Sequence, residues 1–233
     1  MELAGGSDQR KRVAFFGGTF DPPHLGHLAV ARAAREALRL DRVLFAPVGA
    51  QPLKPAGATA TFEDRLAMTR LAITGEQGFE VSQIDAPRAD DPNKPNFTID
   101  TLATLRAVLP ETAELFCLMG ADSFLNLRDW HRASEIPFAA EMIVAARPRE
   151  PLDDLTEALP ESLTMKLVEG SMLMRVYSIS DSTGRTARLY LLPGLNVDIS
   201  ATAIRNQVGA VPMGRGVVPF AVAEYIRERE LYR

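Results

Sequence analysis

The chain has 233 residues, of which 46% are apolar and 24% charged, a composition typical of a soluble globular protein with one sizeable core. The apolar stretches over residues 43–50 and 136–146 are too short or too interrupted to span a bilayer. The net charge of −4 does not favour a nucleic-acid polymer as partner, because such proteins usually carry a clustered basic face. A small anionic ligand needs only a few local cations and stays compatible with this charge.

The cysteine content and the first residues bear on the compartment. Cys117 is the only cysteine and cannot form an internal disulfide, which fits a reducing cytoplasm. It lies in the apolar run 115–119 and is interpreted as a buried strand residue, with a reactive thiol as the alternative. Residues 1–12 lack the apolar core of a signal peptide. We therefore expect a cytoplasmic protein with a disordered leader over residues 1–11 and one folded domain over residues 12–233.

Apolar strands alternate with amphipathic helices along the first 146 residues. In chain order, the patterns predict strands over 13–16, 43–47, 79–84, 115–119 and 143–146, and helices over 25–40, 62–74 and 98–109. Two loops rich in glycine or proline lie between them, over 48–61 and 85–97. This alternation indicates βαβ units around a parallel sheet.

The segment over 148–191 has a weaker pattern. It predicts a helix near 153–167 and strands over 173–179 and 188–192, and a further helix is predicted over 219–229. The whole pattern predicts an α/β, Rossmann-like fold: a doubly wound parallel sheet in a single domain, with a small helical part at the C-terminus. Ligands of such sheets bind beyond the carboxyl ends of the strands, so the candidate site is expected there.

A glycine-rich turn follows the first predicted strand. It reads Gly17-Gly18-Thr19-Phe20-Asp21-Pro22-Pro23-His24-Leu25-Gly26-His27. Glycines at a strand end let a ligand approach the backbone, and the N-terminus of the helix that follows attracts phosphate through its free N–H groups. His24 and His27 are three residues apart, so both are expected in the first helical turn, on one face. Two imidazoles there can donate hydrogen bonds to oxygens that gain charge.

Two other interpretations of this turn stay open. It can be a structural corner with two surface histidines, or a zinc site with His-x-x-His spacing. Two of the three histidines of the chain lie in this turn, which favours a functional site over a corner. A structural zinc site is not expected, because no cysteine or further histidine cluster accompanies the pair.

The turn resembles the nucleotidyltransferase signature G-x-F-D-P-x-H-x-G-H, whose enzymes transfer a nucleotidyl group from ATP or CTP without a covalent intermediate. From residue 13 to residue 233, the chain is similar to the bacterial nicotinate mononucleotide adenylyltransferases. Five parts of the chain carry this resemblance. Asn96-Phe97-Thr98-Ile99-Asp100-Thr101-Leu102 resembles S-Y-T-x-x-T-L, and Gly120-Ala121-Asp122-Ser123 with Leu127 and Trp130 resembles G-x-D-S-x-x-x-L-x-x-W. Ile199-Ser200-Ala201-Thr202-Ala203-Ile204-Arg205 resembles I-S-[SA]-T-x-x-R, and the proline-rich loop 46–55 and the ending with Tyr225 and Leu231-Tyr232-Arg233 are also similar to the family. Two positions depart from the family. Leu53 stands where a histidine is usual, and Phe97 replaces a tyrosine, so the contact through that hydroxyl is lost.

The resemblance implies an adenylyltransferase that joins ATP to nicotinic acid mononucleotide and releases pyrophosphate, in NAD biosynthesis. It assigns catalysis to His24, His27 and Arg205. The implied ATP-binding residues are Gly17, Gly18, Thr19, Phe20, His24, His27, Gly120, Asp122, Arg147, Ser200, Thr202 and Arg205, and those for the mononucleotide are Lys54, Thr98 and Trp130. Mg²⁺ would arrive with ATP, held mostly by phosphates and water, with no protein metal site.

Several of these residues also have a structural interpretation. Asp122 can accept hydrogen bonds from sugar hydroxyls or cap the next helix. Trp130 can stack on the pyridine ring or pack in the core. Thr98 marks a helix N-terminus that suits the nicotinate carboxylate, and it can also be a plain N-cap. Ser200 is a good N-cap, and Asp21 is interpreted as a structural residue that orders the turn.

Other functions stay open on the sequence alone. Within the superfamily, the acceptor can be nicotinamide mononucleotide or phosphopantetheine, or the product can be CDP-linked; the strings around Thr98 and Trp130 favour the nicotinate enzyme. A catalytically silent nucleotide sensor is disfavoured by the intact His24, His27, Thr202 and Arg205. No nucleic-acid polymer or membrane is expected as partner, and a homo-oligomer is compatible with the sequence. The loops over 48–61 and 85–97 flank the presumed site, and their closure on a ligand is a hypothesis.

Overall fold

The structure is a computed structural model that describes residues 11–52, 57–146, 155–194, 199–207 and 216–233. Within these residues the strands are β1 (Arg12–Gly18), β2 (Arg42–Pro47), β3 (Phe79–Val81), β4 (Glu114–Gly120), β5 (Glu141–Ala145), β6 (Leu163–Gly170), β7 (Arg175–Asp181) and β8 (Thr186–Leu192). The helices are α1 (Leu25–Leu38), α2 (Phe62–Ala72), α3 (Thr98–Val108), α4 (Ala121–Phe124), α5 (Ile136–Ala139), α6 (Ala201–Gln207) and α7 (Phe220–Glu228). Short 3₁₀ turns cover Leu127–Asp129, Ala133–Glu135 and Leu155–Ala158.

All of these strands belong to one sheet, in the order β3-β2-β1-β4-β5-β8-β7-β6. The first six strands in this order, β3-β2-β1-β4-β5-β8, pair in parallel with their neighbours. The order of connection reverses between β1 and β4: the chain moves outward from β1 to β2 and β3, then returns to place β4 on the other side of β1. In a doubly wound sheet this switch point leaves a crevice beyond the carboxyl ends of the two strands.

Helices cover both faces of the sheet, so its central strands are buried on both sides. Successive side chains of β1 enter different cores because a strand alternates its side chains between faces. Val13 and Phe15 pack in the core that contains Ile99 of α3, whereas Ala14 and Phe16 pack in the core with residues of α1, α2 and α7. The predicted α/β, doubly wound architecture is therefore confirmed, as is the helix near the C-terminus.

The sheet departs from the prediction in its last three strands, which pair in antiparallel fashion. The predicted helix near 153–167 is wrong in the part that the structure describes: a short 3₁₀ turn is followed by β6 from Leu163. Leu, Met, Lys and Glu in this stretch favour a helix intrinsically, but pairing with β7 overrides that weak preference. The predicted strands over 173–179 and 188–192 correspond to β7 and β8.

Some helices and strands end a few residues away from their predicted ends. α1 ends at Leu38, two residues before the prediction, because Arg39 adopts a left-handed backbone with φ of 49° and caps the helix. Strand β1 continues through Gly17 and Gly18, which pair with β2 instead of ending the strand.

The expected leader lies outside the described residues, except for Lys11. In the described parts of the chain, none of the helices combines the length and the apolar character that a membrane crossing requires.

Candidate active site

A cavity of about 640 Å³ opens at the carboxyl ends of β1 and β4, at the switch point of the sheet. This volume lies in the range of small-molecule sites. The lining brings together thirteen of the residues predicted from the sequence: Gly17, Gly18, Thr19, Phe20, His24, His27, Thr98, Gly120, Asp122, Trp130, Ser200, Thr202 and Arg205. The predicted Lys54 and Arg147 lie outside the described residues.

The two histidines of the turn stack on each other. Their ring centroids are 3.7 Å apart, with 25° between the planes. His24 is the N-cap residue of α1, one position before the helix, rather than a residue of its first turn as predicted. The backbone N–H of His24 donates to Nδ1 of His27 over 3.1 Å. Because Nδ1 accepts this bond, the proton of the neutral His27 ring lies on Nε2, which makes Nε2 a hydrogen-bond donor.

The His27 ring is also held from the side by aromatic residues. Phe20 meets it edge-on, with centroids 4.9 Å apart, and Phe16 lies 6.2 Å away. Phe20 is 1% exposed and belongs to the core, so its ring is packed inside the protein. Phe20 has φ of 49°, a conformation that a bulky residue adopts only when its surroundings impose it. The turn is therefore rigid.

The N-terminus of α1 offers fewer donors to a ligand than the sequence suggests. The N–H of Leu25 donates to the carbonyl of Val217 over 2.9 Å, and that of His27 donates to the carbonyl of His24 over 3.0 Å. Two of the first three helical N–H groups thus have protein acceptors. Fewer helix N–H groups are therefore available to a ligand here than the sequence predicts.

Two glycines at the strand ends lie close to neighbouring side chains. A Cβ on Gly17 would lie 2.7 Å from the ring of Phe15, and one on Gly120 would lie 2.6 Å from Oδ1 of Asp122. The Phe15 ring is buried and has little room to move, whereas the exposed carboxylate of Asp122 can rotate away. The steric demand at Gly17 adds to the approach of a ligand that the sequence suggested.

Asp21 is the structural centre of the turn, as expected. Its side chain is 4% exposed. Oδ2 accepts from the N–H of Thr59 over 2.6 Å, and Oδ1 accepts from the N–H of Ala60 over 3.1 Å and from the Tyr232 hydroxyl over 2.7 Å. Its carbonyl accepts from Nη1 of Arg205 over 2.7 Å. The carboxylate thereby connects β1, the loop before α2 and the end of the chain.

Arg205 lies in α6, far from the turn in the sequence, and its side chain reaches the turn at Asp21. Its Nη2 donates to Oγ1 of Thr202 over 3.2 Å, one helical turn back along α6. Thr202 and Arg205 therefore share one face of α6. Both residues line the cavity together with Ser200.

A buried arginine that no sequence motif indicates also supports the turn. Arg65 of α2 is 2% exposed, and its Nη1 donates to the carbonyl of Thr19 over 2.8 Å. Its Nε donates to the carbonyl of Ala60 over 3.3 Å. Burial lowers the pKa of the guanidinium, and the nearby Asp21 carboxylate opposes that change. No local pattern distinguishes this arginine from the exposed ones.

Thr98 and Trp130 also line the cavity. Phe97, not Thr98, occupies the N-cap of α3, so the interpretation of Thr98 as an N-cap is wrong. Trp130 is half-buried: it packs against a core cluster, as the structural interpretation predicted, and it also lines the cavity. His131, to which no motif gives a role, packs against Phe97 in a tilted arrangement with ring centroids 4.2 Å apart.

Asp122 follows β4 in the short helix α4, where it is exposed to the cavity. The N-cap of α4 is Gly120, and Asp122 is its second helical residue. Oδ1 of Asp122 accepts from the N–H of Ser123 over 3.0 Å, which orients the carboxylate. The exposed carboxylate can still accept hydrogen bonds from hydroxyl groups.

Asp85 is a second buried carboxyl group at the cavity, and it was also missed. It is 5% exposed, and the Thr101 hydroxyl donates to its Oδ1 over 2.5 Å. Burial raises its pKa to about 6. Its carbonyl accepts from the N–H of Gly49 over 2.7 Å, and the N–H of Asn96 donates to Ala50 over 3.0 Å. Backbone hydrogen bonds thus connect the two predicted loops, over 48–61 and 85–97.

Cys117 lies at the inner wall of the cavity and is 2% exposed, as predicted for a buried strand residue. Burial raises the pKa of its thiol to about 12, with a smaller contribution from Asp85. The thiol stays protonated at neutral pH, which argues against the reactive alternative. Among the residues with described positions, no group of three or more histidine, cysteine, aspartate or glutamate residues is arranged to hold a metal ion.

Comparisons with known proteins identify the family. Residues 15–207 match the model of the cytidylyltransferase-like family. The chain is 37% identical over 221 residues to a protein of Pelobacter propionicus named "probable nicotinate-nucleotide adenylyltransferase", covering 95% of this chain and 98% of that protein. A protein of Gloeobacter violaceus with the same name is 36% identical over 224 residues, covering 95% of this chain and 96% of that protein.

Solved structures share the fold. The nicotinic acid mononucleotide adenylyltransferase of Plasmodium falciparum complexed with NaAD superposes with a TM-score of 0.69 at 13% identity, over 96% of this chain and 98% of that chain. The same enzyme complexed with APC gives a TM-score of 0.68 at 14% identity, again over 96% and 98%. The sequence matches, with the cavity at the switch point, establish that this chain belongs to the cytidylyltransferase-like family and, within it, to the nicotinate-nucleotide adenylyltransferases.

Proposed function

We propose that this protein transfers the adenylyl group of ATP to nicotinic acid mononucleotide, giving nicotinate adenine dinucleotide and pyrophosphate, a step of NAD biosynthesis. A phosphate oxygen of the mononucleotide attacks the α-phosphorus of ATP and forms the new P–O bond. The bond from that phosphorus to the oxygen bridging to the β-phosphate breaks, and pyrophosphate leaves with the electron pair. The attacking phosphate is already anionic near neutral pH, so the protein needs no general base.

The observation that carries this proposal is the convergence of His24, His27 and Arg205 on one rigid turn. Nucleotidyl transfer depends mainly on positioning and on neutralising the charge that develops on phosphate oxygens. The Nε2 donor of His27 and the guanidinium of Arg205 supply hydrogen bonds and positive charge from fixed positions. Donors that are already in place cost no reorganisation when charge builds up in the transition state.

The cavity lining supplies groups for both substrates. The glycine turn, Ser200, Thr202 and Arg205 would surround the polyphosphate. The carboxylate of Asp122 would accept from ribose hydroxyls. Trp130 and the N-terminus of α3 at Thr98 would take the nicotinate ring and its carboxylate. Lys54 and Arg147 would add further contacts to the mononucleotide and to ATP.

Magnesium would enter this site with ATP. The cavity presents imidazole, guanidinium and hydroxyl groups, which suit phosphate oxygens, and the aspartates in its lining are not grouped as metal ligands among the described residues. The side chain of Asp21, which belongs to the same turn as the histidines, is engaged by three donors. The cation would therefore be held by phosphates and water, and when bound it neutralises phosphate charge.

The proposal extends to the organisation of the chain. We take residues 12–233 to form one nucleotidyltransferase domain, since a single sheet includes strands from Arg12 to Leu192. A cytoplasmic location is supported by the single, unpaired and buried Cys117.

The test is pyrophosphate release with ATP and magnesium, comparing nicotinic acid mononucleotide, nicotinamide mononucleotide and phosphopantetheine as acceptors. We expect release with the nicotinate nucleotide and much slower release with the amide. Phosphopantetheine is expected to be inactive. Equal or faster release with the amide, or release with phosphopantetheine, would keep the transfer chemistry and overturn the acceptor. ATP binding without release on any acceptor would indicate a silent nucleotide sensor instead.

A further inference from the structure

The last residues of the chain contact the turn over residues 17–27, which we call the catalytic turn after its proposed role, and they do so from outside the cavity. After α7 the backbone turns back through two left-handed residues, Glu230 with φ of 53° and Tyr232 with φ of 65°. The N–H of Leu231 donates to the carbonyl of Ile226 over 3.0 Å, which fastens this turn to α7. The Tyr232 hydroxyl then donates to Oδ1 of Asp21 over 2.7 Å, across 211 residues of sequence.

Asp21 connects this contact to the arginine of the site. Its side chain is held by Tyr232 and by the N–H groups of Thr59 and Ala60, while its backbone carbonyl accepts from Nη1 of Arg205 over 2.7 Å. The position of that carbonyl determines where the guanidinium lies. Whatever orients the Asp21 side chain therefore also orients the donor face of Arg205.

We propose that Tyr232 is a positioning residue for adenylyl transfer: its hydroxyl holds Asp21, and Asp21 holds Arg205 in the orientation that the transition state needs. This inference rests on the proposed role of Arg205. Tyr232 itself is not among the residues that line the cavity, so it acts through the turn and not on a substrate.

The burial of Asp21 makes its hydrogen bond with the Tyr232 hydroxyl important. Asp21 is 4% exposed, and a carboxylate with so little access to water depends on every donor it has. Loss of the Tyr232 hydroxyl would leave Oδ1 with the single N–H of Ala60. Burial raises the pKa of the Tyr232 hydroxyl, and Asp21 raises it further, so the phenol keeps its proton and remains a donor.

The experiment compares two tyrosine-to-phenylalanine variants. Tyr232→Phe removes the hydroxyl and keeps the ring. Tyr225→Phe is the matched control: the Tyr225 hydroxyl donates to Asp64, also a buried aspartate, over 2.9 Å, but Asp64 does not contact the catalytic turn through any described hydrogen bond. We expect kcat to fall about 5- to 10-fold in Tyr232→Phe, with KM for ATP changed less than about 2-fold, and kcat unchanged in Tyr225→Phe.

The coupling to Arg205 is tested by repeating both measurements in an Arg205→Ala background. If Tyr232 acts through Arg205, Tyr232→Phe should cause no further loss of kcat there. The same 5- to 10-fold loss in both backgrounds, or a parental kcat for Tyr232→Phe, would overturn the inference. An equal fall in Tyr225→Phe would assign the effect to general stability and would also overturn it.

Failure of the inference and failure of the proposed function are distinguishable in this design. A parental protein that releases no pyrophosphate contradicts the function. A parental kcat for Arg205→Ala contradicts the role of Arg205 and the inference with it. Thermal unfolding monitors folding of each variant. If Tyr232→Phe does not fold, Tyr232→His replaces it, because histidine keeps a ring with an N–H donor. A partly retained kcat in Tyr232→His that disappears in the Arg205→Ala background supports the coupling. An effect of Tyr232→His on kcat that is the same in both Arg205 backgrounds overturns it.

Discussion

The His27 imidazole serves the fold and the site through its two nitrogens. Nδ1 caps α1 by accepting from the backbone of His24, and this bond leaves Nε2 as the donor. We predict that His27→Ala lowers kcat about 100-fold, because a fixed donor at the developing charge is lost, while KM for ATP changes little. Steady-state kinetics with varied ATP checks both parameters.

A matched variant separates the two roles of this residue. Glutamine is a usual partner in this type of helix cap, so His27→Gln can restore the acceptor for the His24 N–H without the imidazole. We expect a melting temperature near that of the parent and a kcat as low as that of His27→Ala. A glutamine variant with parental kcat would reduce the role of His27 to capping.

Trp130 differs from His27 in its proposed ligand: it lines the cavity where we propose that the nicotinate ring binds. Trp130→Ala is expected to raise KM for nicotinic acid mononucleotide about tenfold through loss of the stacking surface, with KM for ATP unchanged. Trp130→Phe, which keeps a flat ring, should recover most of the difference. Since Trp130 also packs against the core, each variant needs a thermal melt. An unchanged KM for the nicotinate nucleotide in Trp130→Ala would limit this residue to packing.

At the scale of elements, α2 supports the catalytic turn through one buried charge. Arg65 donates to the carbonyls of Thr19 and Ala60, which belong to the two segments that meet at Asp21. We predict that Arg65→Met lowers the free energy of unfolding by about 2–4 kcal/mol, because two carbonyls lose their donor inside the protein. Urea denaturation gives this value.

The control lies one and a half helical turns further along α2. Arg70 is exposed, and Arg70→Met removes the same charge at the same kind of backbone position. We expect this change to alter the free energy of unfolding by less than about 0.5 kcal/mol. Equal losses for the two arginines would mean that the carbonyl contacts of Arg65 contribute nothing specific.

A comparison of the strands shows which of them the local sequence pattern can predict. The strands near residues 13–16, 43–47 and 115–119 are nearly continuous apolar runs because helices cover both faces of the sheet, and such runs are visible in the sequence. β6 lacks this signal, since most of its side chains are exposed and its residue types suit a helix. Its strand conformation comes from pairing with β7, which local periodicity does not encode.

At the scale of the whole molecule, the burial of Asp85 makes stability depend on pH. Its pKa is raised from 3.8 to about 6 in the folded protein, so the folded state binds this proton more tightly than the unfolded state does. The stabilisation is fully present below the unfolded pKa and is lost as pH rises through about 6. This group alone should lower the free energy of unfolding by up to ~3 kcal/mol between pH 4 and pH 7.

Asp85→Asn tests this dependence, because the amide oxygen can still accept from the Thr101 hydroxyl and cannot ionise. We expect urea denaturation to find the variant more stable than the parent at pH 7.5, with that advantage shrinking towards pH 4.5. The same difference at both pH values would show that Asp85 does not titrate in this range.

Residue types at short spacing were enough to predict the turn over residues 17–27 with its two histidines, the strings around Trp130 and Arg205, and the doubly wound sheet. The strand order then brings these features to one crevice. The groups that hold the turn, in contrast, are visible only in the folded chain. Tyr232, Arg65 and Arg205 reach Asp21 and its neighbours from three separate segments. A buried carboxylate or carbonyl takes its partner from whatever the fold brings near it, and no local spacing specifies that partner.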